Sequence, residues 1–427
     1  MPFAGLIHPD NPPSGPYGGT SLVWFPTAEG SVLSLVVGTR GLAPDEGLLM
    51  RPGHRRRLAA LRRELAAKGV ETWTKPDPAA LGLVVPKVVT ERFPGFEKAL
   101  ARYGKEMYAL ARVPTEPQKA REVVQAFLDL YAYERGWQVM KAAQAEFDAF
   151  HARLKGSLFP GVTAESVNAL LRSRRFVILQ GPPGTGKTRT AEEVRRRFFD
   201  GRGRTVQFHP AVTYEDFIVG LSPDPKNGAL RFDVRPGWLL QAIHEAGEGP
   251  FVLVIDEINR ADLGKILGEA IYLFEEGEIG TRRVQLPHPV NGSSELGLSK
   301  NLYVLATMNT ADRSIAGLDL AVRRRFAFVT MPPERAVVEQ HSTPAGLAIF
   351  DRLCDVFVEF APDDALDLLP GHAYFLAPDD GALRARFRHE LLPLLDEYLR
   401  QGFLGPAATE LYAVRDAIAD QAEHGGR

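Results

Sequence analysis

The sequence predicts an α/β fold in which helices cover a parallel β-sheet, with a small α+β domain before the sheet and a helical domain after it. Apolar strands alternate with helices from about residue 163 to 330, which is typical of a parallel, helix-covered sheet. A glycine-rich turn at 181–188 separates a buried strand at 176–180 from a helix that begins near Arg189. Residues 331–427 have helical periodicity almost throughout.

The N-terminal part shows a mixture of strand and helix patterns. Two strand-like runs precede a basic helix, and a second helix follows before a helical connector. The predicted elements are strands at 21–25 and 32–37, helices at about 52–68 and 93–111, and connector helices within 115–154. We therefore predict an N-terminal α+β domain at 1–112, a connector at 113–162, the α/β domain at 163–330 and a helical domain at 331–427. Equally, the connector helices could complete the first domain.

Composition limits the class of protein. The chain has 427 residues, 45% of them hydrophobic, which is enough for several cores. Its single cysteine, Cys354, excludes an intramolecular disulfide, and no run of 18 apolar residues or secretion signal is present. These features predict a soluble cytoplasmic protein that does not contact a membrane. The net charge is −2, but residues 1–112 hold 15 Lys and Arg against 10 Asp and Glu.

The excess positive charge is concentrated in the basic helix at 52–68. Arginines on a helix face can contact phosphates, and such contacts are largely independent of nucleic-acid sequence. The alternative is a solvated helix face or a protein contact. The predicted DNA-contacting residues are Arg55, Arg56, Arg62 and Arg63.

The glycine-rich turn matches the phosphate-binding pattern G-x-x-x-x-G-K-[ST] at every fixed position. Glycines let consecutive backbone N–H groups face the phosphates, a lysine supplies positive charge, and a hydroxyl coordinates Mg²⁺. The turn therefore predicts a nucleotide site with Mg²⁺ as cofactor. Its residues are Gly181, Pro182, Pro183, Gly184, Thr185, Gly186, Lys187 and Thr188.

Polar residues follow two later strands and predict hydrolysis of the nucleotide. Asp256 and Glu257 end the apolar run that begins at Phe251, which suits Asp256 to the Mg²⁺ site and Glu257 to orienting water. Asn309 ends the next strand, where it can contact the γ-phosphate or the water. Three arginines, residues 323–325, come late enough to reach the site of a neighbouring subunit, with Arg324 and Arg325 as the catalytic candidates. Without these preceding motifs, such an arginine triplet reads as a solvated helix end.

Four segments carry a resemblance to a known family. They are 207–218, Ile255-Asp-Glu-Ile-Asn-Arg-Ala261, Met308-Asn-Thr-Ala-Asp-Arg-Ser314 and Leu320-Ala-Val-Arg-Arg-Arg-Phe326. Together they resemble the McrB family of AAA+ motor subunits from modification-dependent restriction systems. The resemblance covers about 175–400 and implies a P-loop AAA+ sheet with a helical lid. It also implies a hexameric GTPase ring in antiviral defence that stimulates a separate McrC-like nuclease subunit, while the N-terminal domain recognises modified or unmodified DNA.

The resemblance also assigns roles to individual residues. Asn259 and Arg260 would lie on the path by which the nuclease subunit stimulates hydrolysis. Separately, the segment Asn309-Thr-Ala-Asp312 is similar to the guanine-reading N-K-x-D of small GTPases, in which Asp312 would contact guanine, but the same segment supplies the water-facing Asn309. The residues themselves leave GTP and ATP open as substrates. In the lid, His372 could approach the nucleotide or serve a structural role.

A second class of function stays open from the sequence. A MoxR-like ATPase, which remodels a protein client, would use the same phosphate-binding loop and carboxylates. The segment 308–314 favours the restriction motor, whereas the near-neutral net charge is compatible with the remodelling ATPase. No nuclease motif is recognisable in the chain, so DNA cleavage is expected from another subunit.

Overall fold

The computed structural model describes residues 3–12, 15–27, 30–224, 231–290, 292–311 and 318–424. The chain divides into two compact units. The first contains residues 1–158, 355–363 and 402–412, and the second contains 159–354, 364–401 and 413–427. None of the described helices is long and apolar enough to cross a membrane.

The first unit is built on a five-stranded antiparallel sheet with the strand order β1-β2-β3-β5-β4. Its strands are β1 (Ala4–Leu6), β2 (Thr20–Thr27), β3 (Gly30–Val37), β4 (Thr72–Thr74) and β5 (Met107–Val113). Both faces are buried because alternate side chains of β3 enter two cores. Leu33 and Leu35 contribute to one core, and Val32 and Val36 contribute to the other.

Helices cover this sheet. They are α1 (Glu46–Leu49), α2 (Pro52–Ala67), α3 (Lys87–Thr90), α4 (Glu97–Tyr103), α5 (Pro117–Glu134) and α6 (Gln144–Leu158). The predicted basic helix corresponds to α2, which has Pro52 in its first turn, where a missing N–H costs nothing. The helices of the predicted connector, α5 and α6, lie in the first unit.

The helix predicted at 93–111 is wrong over its second half. The chain is helical only in α4 and then forms β5, which pairs with both β3 and β4. Tyr108 to Ala111 are at most 1% exposed, so pairing on both sides and burial on both faces override the local helical pattern.

The second unit contains a five-stranded parallel sheet with the order β14-β6-β13-β10-β7. Its strands are β6 (Phe176–Gly181), β7 (Gly203–Gln207), β10 (Phe251–Asp256), β13 (Leu302–Asn309) and β14 (Ala327–Thr330). The predicted strand at 176–180 corresponds to β6, the apolar run that begins at Phe251 to β10 and the strand that ends at Asn309 to β13, whereas β14 was not predicted. Neither were the antiparallel pairs β8 (Val219–Asp224) with β9 (Arg231–Pro236) and β11 (Val284–Val290) with β12 (Ser293–Leu296).

Two cores lie on the two faces of this sheet, and the helices pack over them. Helices α7 to α12 span Ala164–Arg174, Lys187–Phe198, Tyr214–Phe217, Trp238–Glu245, Leu263–Leu267 and Leu320–Arg323. The helices after the sheet are α13 (Arg335–His341), α14 (Pro344–Phe360), α15 (Asp380–Arg386), α16 (Leu392–Arg400) and α17 (Ala408–His424). The α/β fold with a parallel sheet and an N-terminal α+β part is therefore confirmed.

Candidate nucleotide site

The phosphate-binding loop connects β6 to α8, and its backbone requires glycine. Gly184 and Gly186 have φ angles of 79°, in the left-handed region, and Gly186 caps the N-terminus of α8. A Cβ at Gly181 would lie 2.4 Å from the carbonyl oxygen of Met331, so a side chain there would collide with the backbone. The loop thus presents backbone N–H groups at a helix N-terminus, an arrangement that binds phosphate.

Lys187 is the first residue of α8, and its side chain folds back over the loop. Its Nζ atom donates hydrogen bonds to the carbonyl oxygens of Gly181 at 3.0 Å and Pro182 at 2.7 Å. Burial lowers the pKa of Lys187 to about 8, although the nearby carboxylates of Glu257 and Asp256 partly oppose this shift. The ammonium therefore stays mostly protonated at pH 7 and is held where a phosphate would replace the carbonyl oxygens.

Strand register brings Asp256 beside the loop and beside a buried threonine. Ile255 pairs with Ala306, which places Asp256 next to Thr307 at the carboxyl edge of the sheet. The hydroxyls of Thr188 and Thr307 both donate to Asp256 Oδ1, at 2.8 and 2.5 Å. Thr188 and Asp256 thus supply adjacent hard oxygen donors, the kind of ligand that Mg²⁺ prefers, and these residues fit the predicted metal.

Thr307 has a second contact that sequence reasoning missed. Its Oγ1 accepts a hydrogen bond from the backbone N–H of Glu257 at 3.1 Å, and the residue is only 2% exposed. Thr307 therefore connects both carboxylate residues. Strand alternation could have indicated it, because Thr307 and Asn309 share one face of β13.

Glu257 has an unusual backbone and a charged partner. Its φ of 57° lies in the left-handed region, which costs a non-glycine residue free energy unless its surroundings hold it there. Its Oε2 atom lies 3.2 Å from Nε of Arg260, three residues later. The carboxylate predicted to orient water is therefore paired with one of the two residues predicted to transmit stimulation.

Asn309 closes the same edge of the sheet, since it pairs in register with Gly181. Its Oδ1 accepts from the N–H of Ala311 at 3.2 Å, and its backbone carbonyl accepts from Nδ2 of Asn259, also at 3.2 Å. Asn309 lines the cavity, and no described residue accepts a hydrogen bond from its side-chain amide nitrogen. Asn259 is 7% exposed, and its Oδ1 has no hydrogen-bond partner in the part of the chain that the structure describes.

A short helical turn, residues 372–375, packs against the loop. The N–H groups of Gly371 and Ala373 donate to the carbonyls of Pro183 and Gly184, at 3.1 and 3.0 Å. A Cβ at Gly371 would lie 2.2 Å from the carbonyl carbon of Gly184, so only glycine fits there. Sequence reasoning missed these contacts, because they join segments almost 190 residues apart.

His372 is the first residue of this turn, and its side chain contacts the start of α13. Its Nδ1 accepts a hydrogen bond from the N–H of Glu334 at 3.2 Å, and burial together with Arg189 lowers its pKa to about 4. The imidazole is thus neutral at pH 7. The hydrogen bond to Glu334 agrees with a structural role for His372. Its ring also lies close to Gly186 of the phosphate-binding loop, which agrees with an approach to the nucleotide.

The three late arginines differ in their surroundings. Arg323 donates to the carbonyl of Leu318 at 3.3 Å, and Arg325 donates to that of Ala321 at 2.7 Å. Arg324 is exposed, and no described residue accepts a hydrogen bond from its guanidinium, although its backbone N–H donates to the carbonyl of Leu320 at 3.2 Å. Its guanidinium is therefore the one of the three for which the described residues provide no acceptor. Asp312, the predicted guanine contact, lies outside the described residues.

The basic helix α2 requires one correction to the predicted DNA contacts. Arg56 is 7% exposed, and its guanidinium binds the carboxylate of Asp363 at 2.6 Å and three backbone carbonyls between residues 357 and 361. A guanidinium occupied in this way is not available to a phosphate, so the expectation for Arg56 is wrong. Arg55, Arg62 and Arg63 are exposed on α2.

Several of the predicted residues of the second unit thus meet around one cavity. It has a volume of about 220 Å³ and is lined by Pro183, Gly184, Gly186, Lys187, Thr188, Arg189, Glu257, Thr307 and Asn309. A strand–loop–helix phosphate site, a strand ending in Asp-Glu and a neighbouring strand ending in asparagine define an AAA+ protein. Such a domain uses a nucleoside triphosphate, with Mg²⁺ as its usual cofactor.

Comparison with known proteins narrows this class. Residues 176–326 match the AAA domain family of the dynein-related subfamily. Over 271 residues the chain is 31% identical to the type IV methyl-directed restriction enzyme EcoKMcrB subunit of Escherichia coli, covering 57% of this chain and 58% of that protein. The resemblance to the McrB family of AAA+ proteins is therefore confirmed.

Two further relatives are more distant. The type II restriction enzyme BsuMI component YdiS of Bacillus subtilis is 29% identical over 210 residues, covering 39% of this chain and 60% of that protein. The uncharacterized protein YehL of Escherichia coli is 24% identical over 208 residues, covering 46% of this chain and 53% of that protein. The chain spans only 53% to 60% of the lengths of these curated relatives.

Proposed function

We propose that this chain is a nucleoside triphosphatase, with GTP preferred over ATP, that serves as the motor and DNA-recognition subunit of an McrBC-like anti-phage restriction complex. In this proposal it forms a hexameric ring and activates a separate nuclease subunit. The observation that carries the proposal is the single cavity shared by Lys187, Thr188, Glu257 and Asn309, in a chain whose similarity to known proteins includes two restriction-system components.

The hydrolytic mechanism follows from what phosphoryl transfer requires, which is positioning and charge stabilisation. The loop N–H groups and the Lys187 ammonium hold the β- and γ-phosphates. When bound at Thr188 and Asp256, Mg²⁺ neutralises charge on the phosphate oxygens. Glu257 polarises the attacking water, and the Asn309 amide donates to the water or to the γ-phosphate. Arg324 of a neighbouring subunit stabilises the charge that develops on the transferred group.

The pairing of Glu257 with Arg260 supplies a mechanism for stimulation. In this pairing a guanidinium nitrogen at 3.2 Å occupies one oxygen of the Glu257 carboxylate, which is then not free to orient water. We propose that the nuclease subunit contacts Asn259 and Arg260 and draws the arginine away from Glu257. The buried Oδ1 of Asn259 accepts no hydrogen bond from any described residue. A rearrangement of this segment could therefore also give Asn259 Oδ1 a hydrogen-bond donor.

The first unit supplies the DNA-recognition part of the proposal. Arg55, Arg62 and Arg63 are exposed on α2, and three phosphate contacts would make binding salt-sensitive. Replacing all three with alanine should reduce the salt dependence of DNA binding by roughly three counterions. An unchanged slope, measured by titration of duplex DNA at several salt concentrations, would remove α2 from the DNA-binding surface.

Steady-state hydrolysis of GTP and ATP by the purified protein tests the main proposal. The rates are measured with and without the nuclease encoded by an adjacent gene, and Lys187→Ala serves as the control for contaminating activity. GTP turnover that increases with the nuclease supports the restriction motor. ATP turnover that does not respond to it supports the remodelling ATPase instead, and absence of both activities rejects the proposed enzyme.

A further inference from the structure

The first unit contains a cleft between three helices that the proposed motor does not use. It has a volume of about 360 Å³, larger than the nucleotide cavity, and lies between α2, α5 and α6. Its walls combine apolar side chains, among them Leu61, Leu65, Leu130 and Phe147, with six ionisable residues. A cleft of this size accommodates a small organic molecule.

The positive and negative charges of the residues that line the cleft do not balance. Lys68 pairs with Glu122 at 2.8 Å, and Arg153 pairs with Glu64 at 2.7 Å. The two carboxylates that remain have no cationic partner in the described part of the chain. They are Asp129 on α5 and Glu146 on α6, and the negative charge of Glu146 contributes to raising the pKa of Asp129.

Asp129 is the more informative of these two residues because it is buried. It is 6% exposed, and its Oδ1 accepts a hydrogen bond from Nε2 of Gln125 at 2.5 Å. No described residue donates to its Oδ2. Burial raises the pKa of Asp129, while the hydrogen bond from Gln125 opposes that shift. A buried carboxylate at a cavity wall is costly unless a positive or hydrogen-bonding group meets it.

We propose that this cleft binds an aliphatic ammonium ion, with the ammonium at Asp129 and the hydrocarbon part against Leu61, Leu65 and Phe147. An ammonium donates three hydrogen bonds and carries the charge that Asp129 lacks, whereas its chain replaces water along the apolar wall. Exposed Glu146 adds a second negative charge and favours the same ligand. The described residues contain no group of three potential metal ligands, so an organic cation fits better than a metal ion.

Calorimetric titration of the full-length protein with n-butylammonium chloride tests this assignment. We expect saturable binding with one site per chain, and much weaker binding of 1-butanol, which has the same chain without the charge. N-acetyl-lysine methylamide is titrated in parallel. If it binds more tightly than n-butylammonium, the natural ligand is a lysine side chain of a protein. If it binds more weakly, the natural ligand is a free amine.

Two matched variants distinguish direct contact of the ammonium with Asp129 from attraction by the overall negative charge of the cleft. Asp129→Asn keeps the shape and the acceptor for Gln125, and it should weaken binding by about tenfold or more. Glu122→Gln removes the same charge from a carboxylate that already pairs with Lys68, and it should weaken binding by less than about threefold. Glu146→Gln, at an exposed position that cannot disturb folding, should give an intermediate loss.

Three results would overturn the proposal. They are absence of saturable binding to the wild-type protein, equal binding of 1-butanol, and equal losses in Asp129→Asn and Glu122→Gln. Thermal unfolding of each variant confirms that the comparison is made between folded proteins. If Asp129→Asn does not fold, the loss in Glu146→Gln relative to Glu122→Gln decides the question.

Discussion

Replacing the buried hydroxyl of Thr307 should separate nucleotide binding from hydrolysis. Thr307→Val keeps the shape of the side chain but removes the donor to Asp256 Oδ1 at 2.5 Å and the acceptor for the N–H of Glu257 at 3.1 Å. A hydrogen bond to a charged group is worth about 1.5–3 kcal/mol, and a buried N–H without a partner costs about 1–3 kcal/mol. Both losses fall on the residues that orient the reacting groups.

The expected effect is a fall in kcat of about tenfold to a hundredfold. Each 1.4 kcal/mol of lost transition-state stabilisation corresponds to about tenfold in rate, and part of the lost hydrogen-bond energy lowers the stability of the fold instead. KM should change by less than about threefold, since the loop and Lys187 hold the phosphates without Thr307. Thr307→Ser keeps the hydroxyl and should retain most of the wild-type kcat.

Steady-state hydrolysis of the preferred nucleotide, with thermal unfolding as the control for folding, measures both variants. A wild-type kcat for Thr307→Val would refute the assigned positioning role. A serine variant as impaired as the valine variant would show that the methyl group, not the hydroxyl, is what the site requires.

Three further predictions concern the same site. Glu257→Gln should bind nucleotide normally but hydrolyse it at least about a hundredfold more slowly. Nucleotide-loaded rings of this variant should therefore accumulate on gel filtration. Turnover at the wild-type rate would disprove the role of Glu257. Mixing Arg324→Ala subunits with Lys187→Ala subunits should restore some activity if the arginine acts on a neighbouring subunit, and no recovery would indicate action within one subunit. Because burial lowers the pKa of Lys187 to about 8, the ammonium is charged below that pH and neutral above it, so the Kd for a non-hydrolysable nucleotide should rise as pH increases beyond about 8. A Kd that is constant from pH 7 to 10 would contradict that shift.

Much of the site could be predicted from the sequence because its parts are locally encoded. The spacing of glycines, Lys187 and Thr188 specifies a loop between a strand and a helix whatever surrounds it. Likewise, an apolar run that ends in Asp256 and Glu257 indicates a buried parallel strand, whose carboxyl end carries the ligands. The strand β13 followed from the same pattern.

Other features depend on which segments meet, and no local pattern specifies that. The chain at 107–113 reads as the end of a helix, yet it forms β5 because β3 and β4 pair with it on both sides. Arg56 reads as a solvated basic residue, yet Asp363 and nearby carbonyls, some 300 positions later, enclose its guanidinium.

The sequence by itself therefore determined the nucleotide-binding loop, the strand and the helix that flank it and the identity of the polar residues at its edge. Only the tertiary structure decided that Thr307 joins Asp256 to Glu257, that Arg260 pairs with Glu257 and that Asp129 faces a cleft. The physical reason is that hydrogen-bonding spacing and side-chain periodicity act over a few residues. Burial, charge pairing and strand register, in contrast, depend on segments that are distant in the chain and become neighbours only when it folds.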